Sequence, residues 1–474
     1  GDSTSIFQEG VRIPPIKLYD AGVLNEGFKD LLLTNVRVPT FTWGDLQSQV
    51  AGCHLGEKRI HEMYEKYGPD LMDEVMEWSM DHSEQLMRTE IENLPDGEYT
   101  FADFLDNDGI EKEKEIKIHV KVTIKGKDIT FDFSGSDDQV KGPANCVLGV
   151  VFSATYCALF NVTDPTIPKN HGCYRPITII APEGKVINAR YPAPVVSGNT
   201  ETSLRIIDTI TGALARVIPD RVIASDSGTA TAHIAGGLDP RTNEFYAWYL
   251  GADPCAWGAR ATKDGFGCAG GPRIGGHVAQ IPMEVFETRF PFFVVEYALV
   301  NDSGGPGRFR GGLSGKTVIR PIDHECEIGG CNDRAQIPPY GIFGGMPGLH
   351  GENKIIHKDS SVTEIDRAGG EKAQAGETVF FRAPGGGGYG DPLDRKIDHL
   401  QHDVMNEYVS IESAKRDYGA VIDEETWEID RDATENSRKK LKAEWQRETI
   451  FIDQKSLPFA KREFRIVKME ETNF

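Results

Sequence analysis

The chain has 474 residues, 39% hydrophobic and 26% charged, which allows roughly two to four domains and argues against wholesale disorder. A formal net charge of -21 excludes nucleic acid as the main partner, because the phosphate backbone would be repelled and no basic stripe offsets that field. Eight scattered cysteines without a CxxC pair are typical of reduced thiols, and no apolar run has the length of a membrane span. We therefore expect a soluble, cytoplasmic protein.

Helical periodicity dominates the first hundred residues. It predicts a short helix at residues 26–36, an amphipathic helix at 43–67 and another long helix at 71–94. A short strand is expected at 97–104. We predict a mainly helical N-terminal region over residues 1–110.

Strands and helices mix in the next part of the chain. The alternating I-K-I-H-V-K-V-T-I and the returning I-T-F-D-F predict a β-hairpin at residues 116–133. The apolar segment 145–161 is too long for a usual strand and predicts a buried helix. A second hairpin is expected at 177–187 and a helix at 203–217. These elements define a central α+β region over residues 111–320, which holds the candidate site.

Short apolar runs between Gly-rich turns then predict a β-rich region over residues 321–392, folded as a small barrel or sandwich. Its tetraglycine, 385–388, lacks the Gly-Lys-Ser/Thr of a phosphate-binding loop, so close backbone packing is expected there. Residues 393–474 are predicted to form a helical C-terminal cap and tail, with helices at 399–409, 410–418 and 432–448. The fold class is thus α+β.

Six sequence blocks also carry a family resemblance. They are G-D-S-T-x-I-F-Q-E-G-x-R-I-P-P from Gly1, G-P-A-N-C from Gly142, N-H-G-C-Y-R-P-I from Asn170, G-N-T-E-T-S-x-R-I from Gly198, D-S-G-G-P-G-R-F-R-G-G from Asp302 and P-G-G-G-G-Y-G-D-P from Pro384. In this order they resemble the hydantoinase B/oxoprolinase family, nearly from end to end of the chain.

The resemblance implies the B-type subunit of an ATP-dependent enzyme that opens a cyclic amide by hydrolysis, through a phosphorylated intermediate. ATP and Mg are then expected on a partner subunit of the hydantoinase A type, and this chain shows no ATP motif. Members of the family usually carry metal-binding residues upstream of the first block. A divalent metal is therefore expected from a separate N-terminal segment and not from these residues.

Two other functions remain open at this point. The same blocks occur in subunits of ATP-dependent ketone carboxylases that act on acetone or acetophenone. The chain is also compatible with a non-catalytic scaffold that holds the ATP-binding subunit.

The candidate catalytic group is the carboxylate of Glu201, which follows a glycine turn and precedes a helix. It could accept a proton or orient a water, while Asn199, Thr202 and Arg205 bind the substrate or a charged intermediate. The alternative is a helix-capping Glu201 that pairs with Arg205.

Two histidines and two further polar residues complete the candidate set. His171 and Arg175, in a loop between apolar elements, suit acid–base catalysis and anion binding, unless the loop is purely structural. His277, after two glycines, is a second candidate acid or base, with a core histidine as the alternative. Asp226 is expected to line the same cleft.

Overall fold

A computed structural model describes residues 2–250, 255–268, 280–365 and 370–444, and these residues form a mixed α+β fold. This confirms the predicted fold class. The helices are α1 Glu26–Thr34, α2 Pro39–Tyr67, α3 Pro69–Glu92, α4 Leu148–Phe160, α5 Ser203–Leu214, α6 Met283–Arg289, α7 Ile397–Met405, α8 Ile411–Tyr418 and α9 Arg431–Glu444.

The strands fall into three sheets and one short antiparallel pair near the N-terminus. They are β1 Tyr19–Asp20, β2 Val23–Leu24, β3 Gly97–Leu105, β4 Ile116–Lys125, β5 Asp128–Asp132, β6 Ile177–Ile180, β7 Ala232–Leu238, β8 Phe245–Leu250, β9 Phe292–Leu299, β10 Gly315–Pro321, β11 Cys326–Cys331, β12 Glu352–Ile356, β13 Val362–Glu364, β14 Gly370–Ala373 and β15 Thr378–Arg382.

The three predicted N-terminal helices are present. Helices α2 and α3 form a hairpin because Gly68, with φ of 81°, ends the first and Pro69 begins the second. In α3, Met87 and Ile91 lie one turn apart and are buried, whereas α2 buries none of its residues. Its amphipathic face therefore has no core contact in the described part of the chain.

The first sheet has the strand order β3-β4-β5-β6. Strand β4 buries every second residue and pairs with β5 as the predicted hairpin. The predicted hairpin at 177–187 is wrong: β6 is a single strand that adds parallel to β5. Pro182, which follows it, lacks the N–H that a returning strand would need.

Helices α4 and α5 pack with this sheet around one hydrophobic core. The apolar segment after residue 145 is the buried helix that its length predicts. Helix α5 contacts both β3 and β4, and all twelve of its residues are buried. Polar side chains at its N-terminal end are therefore held inside the protein.

The β-rich part consists of two further sheets, with the orders β13-β12-β15-β10-β9 and β14-β11-β7-β8. Side chains from both sheets, including Trp248, Phe292, Ile319 and Phe381, share one core, as in a sandwich. These sheets pair strands that precede the predicted boundary at residue 320 with strands that follow it. The division of the chain into four regions stays a prediction.

The tetraglycine packs against neighbouring backbone, as its composition predicts. A Cβ atom added to Gly385 would lie 1.7 Å from the carbonyl oxygen of Ser303, and one added to Gly387 would lie 2.0 Å from the carbonyl oxygen of Tyr340. Because the loop fills space against main chain, it fits no phosphate.

Helices α7 and α8 share a small core of their own. The buried guanidinium of Arg395 joins this cap to the rest of the chain by donating to Asp403 over 2.6 Å and to Asp264 over 2.8 Å. The predicted helix at 432–448 is present as α9 up to residue 444, and its end lies outside the described residues. Across the described ranges, no helix is long and apolar enough to cross a membrane.

Candidate functional site

A π-helical turn, Gly198–Thr202, leads directly into α5. Gly198 is required there because a Cβ atom would lie 2.4 Å from the carbonyl oxygen of Asn145. The hydroxyl of Thr202 donates to the carbonyl of Ala144 over 2.5 Å, and the thiol of Cys146 donates to the carbonyl of Gly198 over 3.2 Å. These contacts dock the G-P-A-N-C block onto the G-N-T-E-T block, and π-helical turns are frequent at functional sites.

Glu201 is fully buried on this turn. Its Oε2 accepts a hydrogen bond from the main-chain N–H of Asp333 over 3.3 Å. Burial, and after it the negative charges of Asp226 and Glu201, raise the pKa of the nearby Cys255 thiol to about 12. The two predicted acids therefore lie close to one thiol, which stays protonated and unreactive at neutral pH.

Arg205, one helical turn after Glu201, is also fully buried. Its Nη1 donates to Asp103 Oδ2 over 3.2 Å and lies 3.8 Å from Asp208 Oδ2, and its Nη2 pairs with Asp333. Asp103 lies on β3, Asp208 on α5 and Asp333 just after β11. The guanidinium thus joins three separate elements, and these contacts favour a positioning role over direct substrate contact.

A second buried guanidinium, that of Arg334, completes the cluster. Its Nη2 donates to Asp103 Oδ2 over 2.7 Å and to Asp208 Oδ2 over 2.8 Å, and Ser225 Oγ donates to the same Asp208 oxygen over 2.9 Å. We call Asp103, Arg205, Asp208, Asp333 and Arg334 the ion cluster. Buried charges of this kind persist only when each is paired.

Asp106 borders the ion cluster and has its own set of partners. Its carboxylate accepts from the main-chain N–H groups of Ala335, Gln336 and Ile337 over 2.7, 3.0 and 2.9 Å, and its own N–H donates to Asp333 Oδ1 over 2.9 Å. Burial, and then the charge of Asp333, raise the pKa of Asp106 to about 7 against the effect of those hydrogen bonds. The start of the 335–337 loop is therefore fixed to the end of β3.

The other predicted site residues have different surroundings. Asn199 is exposed and lines a cleft of about 390 Å³ between α4 and α5. Asp226 is buried, and its Oδ1 accepts from the N–H of Gly228 over 2.9 Å. Hence the structure brings Glu201, Thr202, Arg205 and Asp226 to one interior region, with Asn199 at its surface.

The Asn170–Arg175 segment docks on α3 instead. Asn170 Nδ2 donates to Ser83 Oγ over 2.9 Å, and Arg175 Nη1 donates to Asp81 over 2.8 Å and Glu84 over 2.9 Å. His171 is exposed beside them. The hydrogen bonds and ion pairs described for this segment do not join it to Glu201. His277 lies outside the described residues.

Sequence reasoning missed most of the ion cluster. Asp103 lies in the strand ending F-A-D-F-L, and Asp333 and Arg334 follow the end of strand β11 after one intervening residue. An acid inside an apolar strand and a charged pair at a strand end were the available signals, since buried charges need partners.

Within the described ranges, no set of three or more His, Cys, Asp or Glu side chains is arranged to hold a metal ion. The tetraglycine packs against neighbouring main chain.

A buried carboxylate on a π-helical turn, next to a paired ion cluster, defines an enzyme-type site in an α+β fold. The family model for hydantoinase B/oxoprolinase matches residues 1–392, and the chain belongs to that family. This confirms the resemblance seen in the six blocks.

Similar proteins agree with this membership. A putative B-type subunit of a D-/L-hydantoinase from a Pseudomonas species is 33% identical, over 92% of this chain and 74% of that protein. The crystal structure of the ATP-dependent caprolactamase from Pseudomonas jessenii is 32% identical, with a TM-score of 0.84, over 92% of this chain and 76% of that one.

A nucleotide-free acetone carboxylase structure shares the fold. Its TM-score is 0.84 at 18% identity, over 94% of this chain and 65% of that one. At that identity the likeness concerns the fold alone.

Proposed function

We propose that this chain is the B-type subunit of an ATP-dependent enzyme that opens a cyclic amide by hydrolysis. The observation that carries the proposal is the buried Glu201 on the family's G-N-T-E-T block, held by the Asp333 N–H beside the ion cluster. The naming of similar proteins as a hydantoinase subunit and an ATP-dependent caprolactamase supports it.

Glu201 is the proposed general base. It accepts a proton from the water that attacks the amide carbon, after ATP has activated the carbonyl oxygen. The Asp333 N–H donates to Oε2 of this side chain, next to the N-terminal end of α5. A positioned base of this kind contributes typically 10²–10⁴-fold to the rate.

The ion cluster positions this base without touching the substrate. Arg205 and Asp333 pair directly, and Asp333 in turn donates from its N–H to Glu201. Asn199, exposed in the α4–α5 cleft, is the proposed substrate contact, and the hydroxyl of Thr202 holds the turn by donating to the carbonyl of Ala144. Asp226 lies in the same interior region. His171 and Arg175 lie at the α3 surface, where Arg175 pairs with Asp81.

ATP and Mg are assigned to a partner subunit of the hydantoinase A type. The relatives are named as subunits, which implies a hetero-oligomer.

The second candidate is a subunit of an ATP-dependent ketone carboxylase, which the shared fold with acetone carboxylase favours. A non-catalytic scaffold is the third. The hydantoinase and caprolactamase relatives, at higher identity, favour amide hydrolysis.

Incubating the assembled complex with ATP and one candidate substrate at a time decides between these functions. Hydantoin, 5-oxoproline and caprolactam test ring opening, and acetone or acetophenone with bicarbonate tests carboxylation. Ring-opened acid without carboxylated ketone supports the proposal. Carboxylated ketone without any ring opening contradicts it.

A further inference from the structure

A small polar cavity lies next to the ion cluster. Its volume is about 40 Å³, and it is lined chiefly by Asp106, Asn107, Asn332, Gln336, Asn353 and Ile365. A water needs about 10–15 Å³ measured in this way, so the cavity admits a group of a few non-hydrogen atoms.

Three carboxamides lining this cavity carry polar atoms without hydrogen-bond partners among the described residues. Asn332 is 7% exposed, and neither its Oδ1 nor its Nδ2 is bonded. Asn353 is 5% exposed with its Oδ1 unbonded, and Gln336 has its Oε1 unbonded. Each such buried group costs about 1–3 kcal/mol, which is why buried polar groups nearly always have a partner.

These unbonded donor and acceptor atoms favour a neutral ligand over an ion. An anion would meet the carboxylate of Asp106, which lines the cavity. A cation would leave the amide Nδ2 of Asn332, which is a donor, without an acceptor. Since both atoms of this amide are unbonded, the conclusion does not depend on which one is oxygen and which nitrogen.

A cyclic amide has the matching arrangement. Ring closure holds its bond cis, so the C=O and the N–H lie on the same edge. A side-chain carboxamide presents an acceptor and a donor side by side, and it pairs with that edge through two hydrogen bonds. We propose that Asn332 recognises the N–H and C=O of the ring in this way, an inference that rests on the proposed function.

The position of Asn332 connects this pairing to the proposed base. The peptide bond after Asn332 supplies the Asp333 N–H that donates to Glu201. A ring bound by the Asn332 amide is therefore bound by the residue next to Asp333, whose N–H donates to Glu201. Asn332 is in this account a specificity-determining residue.

The test measures binding of two neutral probes to the assembled complex by ligand-observed NMR. 2-Pyrrolidinone has the cis N–H and C=O edge, and N-methyl-2-pyrrolidinone lacks the N–H. The wild-type complex is expected to bind the first about tenfold or more tightly, because the second leaves buried Asn332 Oδ1 unbonded. Equal binding of the two probes, or binding of neither, overturns the inference.

Two variants assign this selectivity to Asn332. Asn332→Leu removes both amide atoms and is expected to abolish the difference between the probes, while Asn406→Leu, at an exposed site after α7, leaves it unchanged. Selectivity that persists in Asn332→Leu overturns the inference. Should that variant fail to assemble, the wild-type comparison of the two probes decides the question.

ATP-dependent ring opening by the same wild-type complex separates this inference from the proposed function. Ring opening without N–H selectivity rejects the Asn332 pairing and keeps the function. N–H selectivity without ring opening keeps the binding site and rejects the hydrolase.

Discussion

Arg334 donates from Nη2 to Asp103 Oδ2 over 2.7 Å, although 231 residues separate the two along the chain. The pair joins the strand β3 of the first sheet to the loop after β11 of the sandwich. Both side chains are fully buried, so the bond forms only when these two parts of the fold are in place.

Arg334→Leu is expected to lower the free energy of unfolding by about 3–5 kcal/mol, because it leaves Asp103 and Asp208 buried without this cation. Urea unfolding of the purified chain measures the change. The control is Lys415→Ala, which removes an exposed pair with Glu424 and should cost less than about 1 kcal/mol. Similar small losses in the two variants would contradict the role given to the ion cluster.

Gly387→Ala is expected to destabilise the chain by about 3 kcal/mol or more, since the new methyl group would lie 2.0 Å from the carbonyl oxygen of Tyr340. The same substitution at Gly52, where nothing lies within 4 Å on the exposed helix α2, should stabilise by up to about 1 kcal/mol. Thermal unfolding of both variants checks the contrast. A tolerated alanine at 387 would show that the tetraglycine is not closely packed.

The buried His233 gives the stability a specific pH dependence. Burial lowers its pKa from 6.5 to about 3, and the ring stacks on Phe381 with 4.0 Å between centroids. Below pH 6.5 the unfolded chain takes up a proton that the folded chain refuses, so stability is lost as the pH falls toward 3. Between pH 6.5 and 5 this loss amounts to about 2 kcal/mol.

His233→Phe keeps an aromatic ring against Phe381 and removes the titration, so its stability should fall less than that of the wild type between pH 6.5 and 5. Urea midpoints at several pH values measure the difference. His54→Gln, at an exposed position on α2, serves as the control and should keep the wild-type slope. An unchanged slope in His233→Phe would mean that this histidine is charged in the folded protein.

Glu201→Gln should lower ring opening by the assembled complex about 10²–10⁴-fold, because the amide cannot accept the proton from water. Product formation and size-exclusion chromatography are measured together, so that loss of turnover is separated from loss of assembly. Glu412→Gln, an exposed position on α8, is the matched control. Full turnover by an assembled Glu201→Gln complex would support the scaffold function instead.

Local patterns predict much of the fold. The alternating apolar residues of β4 and the apolar residues Met87 and Ile91 at helical spacing in α3 are residues that become buried, so the pattern within each segment is enough to predict the element. The parallel addition of β6 to β5 was missed, because the pairing of distant strands leaves no mark in either segment alone.

The candidate site divides in the same way. Glu201 is a candidate because its glycine turn and helix start are contiguous in the sequence, and its catalytic role stays a prediction. The ion-cluster partners of Arg205, spread from Asp103 to Asp333, were not found, because only the tertiary fold brings them together. Asn332 was not among the candidates for a related reason, since a buried amide without hydrogen-bond partners is recognisable only once its burial is known.

In the proposed function, this chain acts on a substrate that ATP has activated on a companion subunit. Ring-opened product and released phosphate are therefore measured for this chain alone, for the companion alone and for both together, each with and without ATP. We predict ring opening only when both subunits and ATP are present. Ring opening at the full rate by this chain alone, without nucleotide, would contradict it.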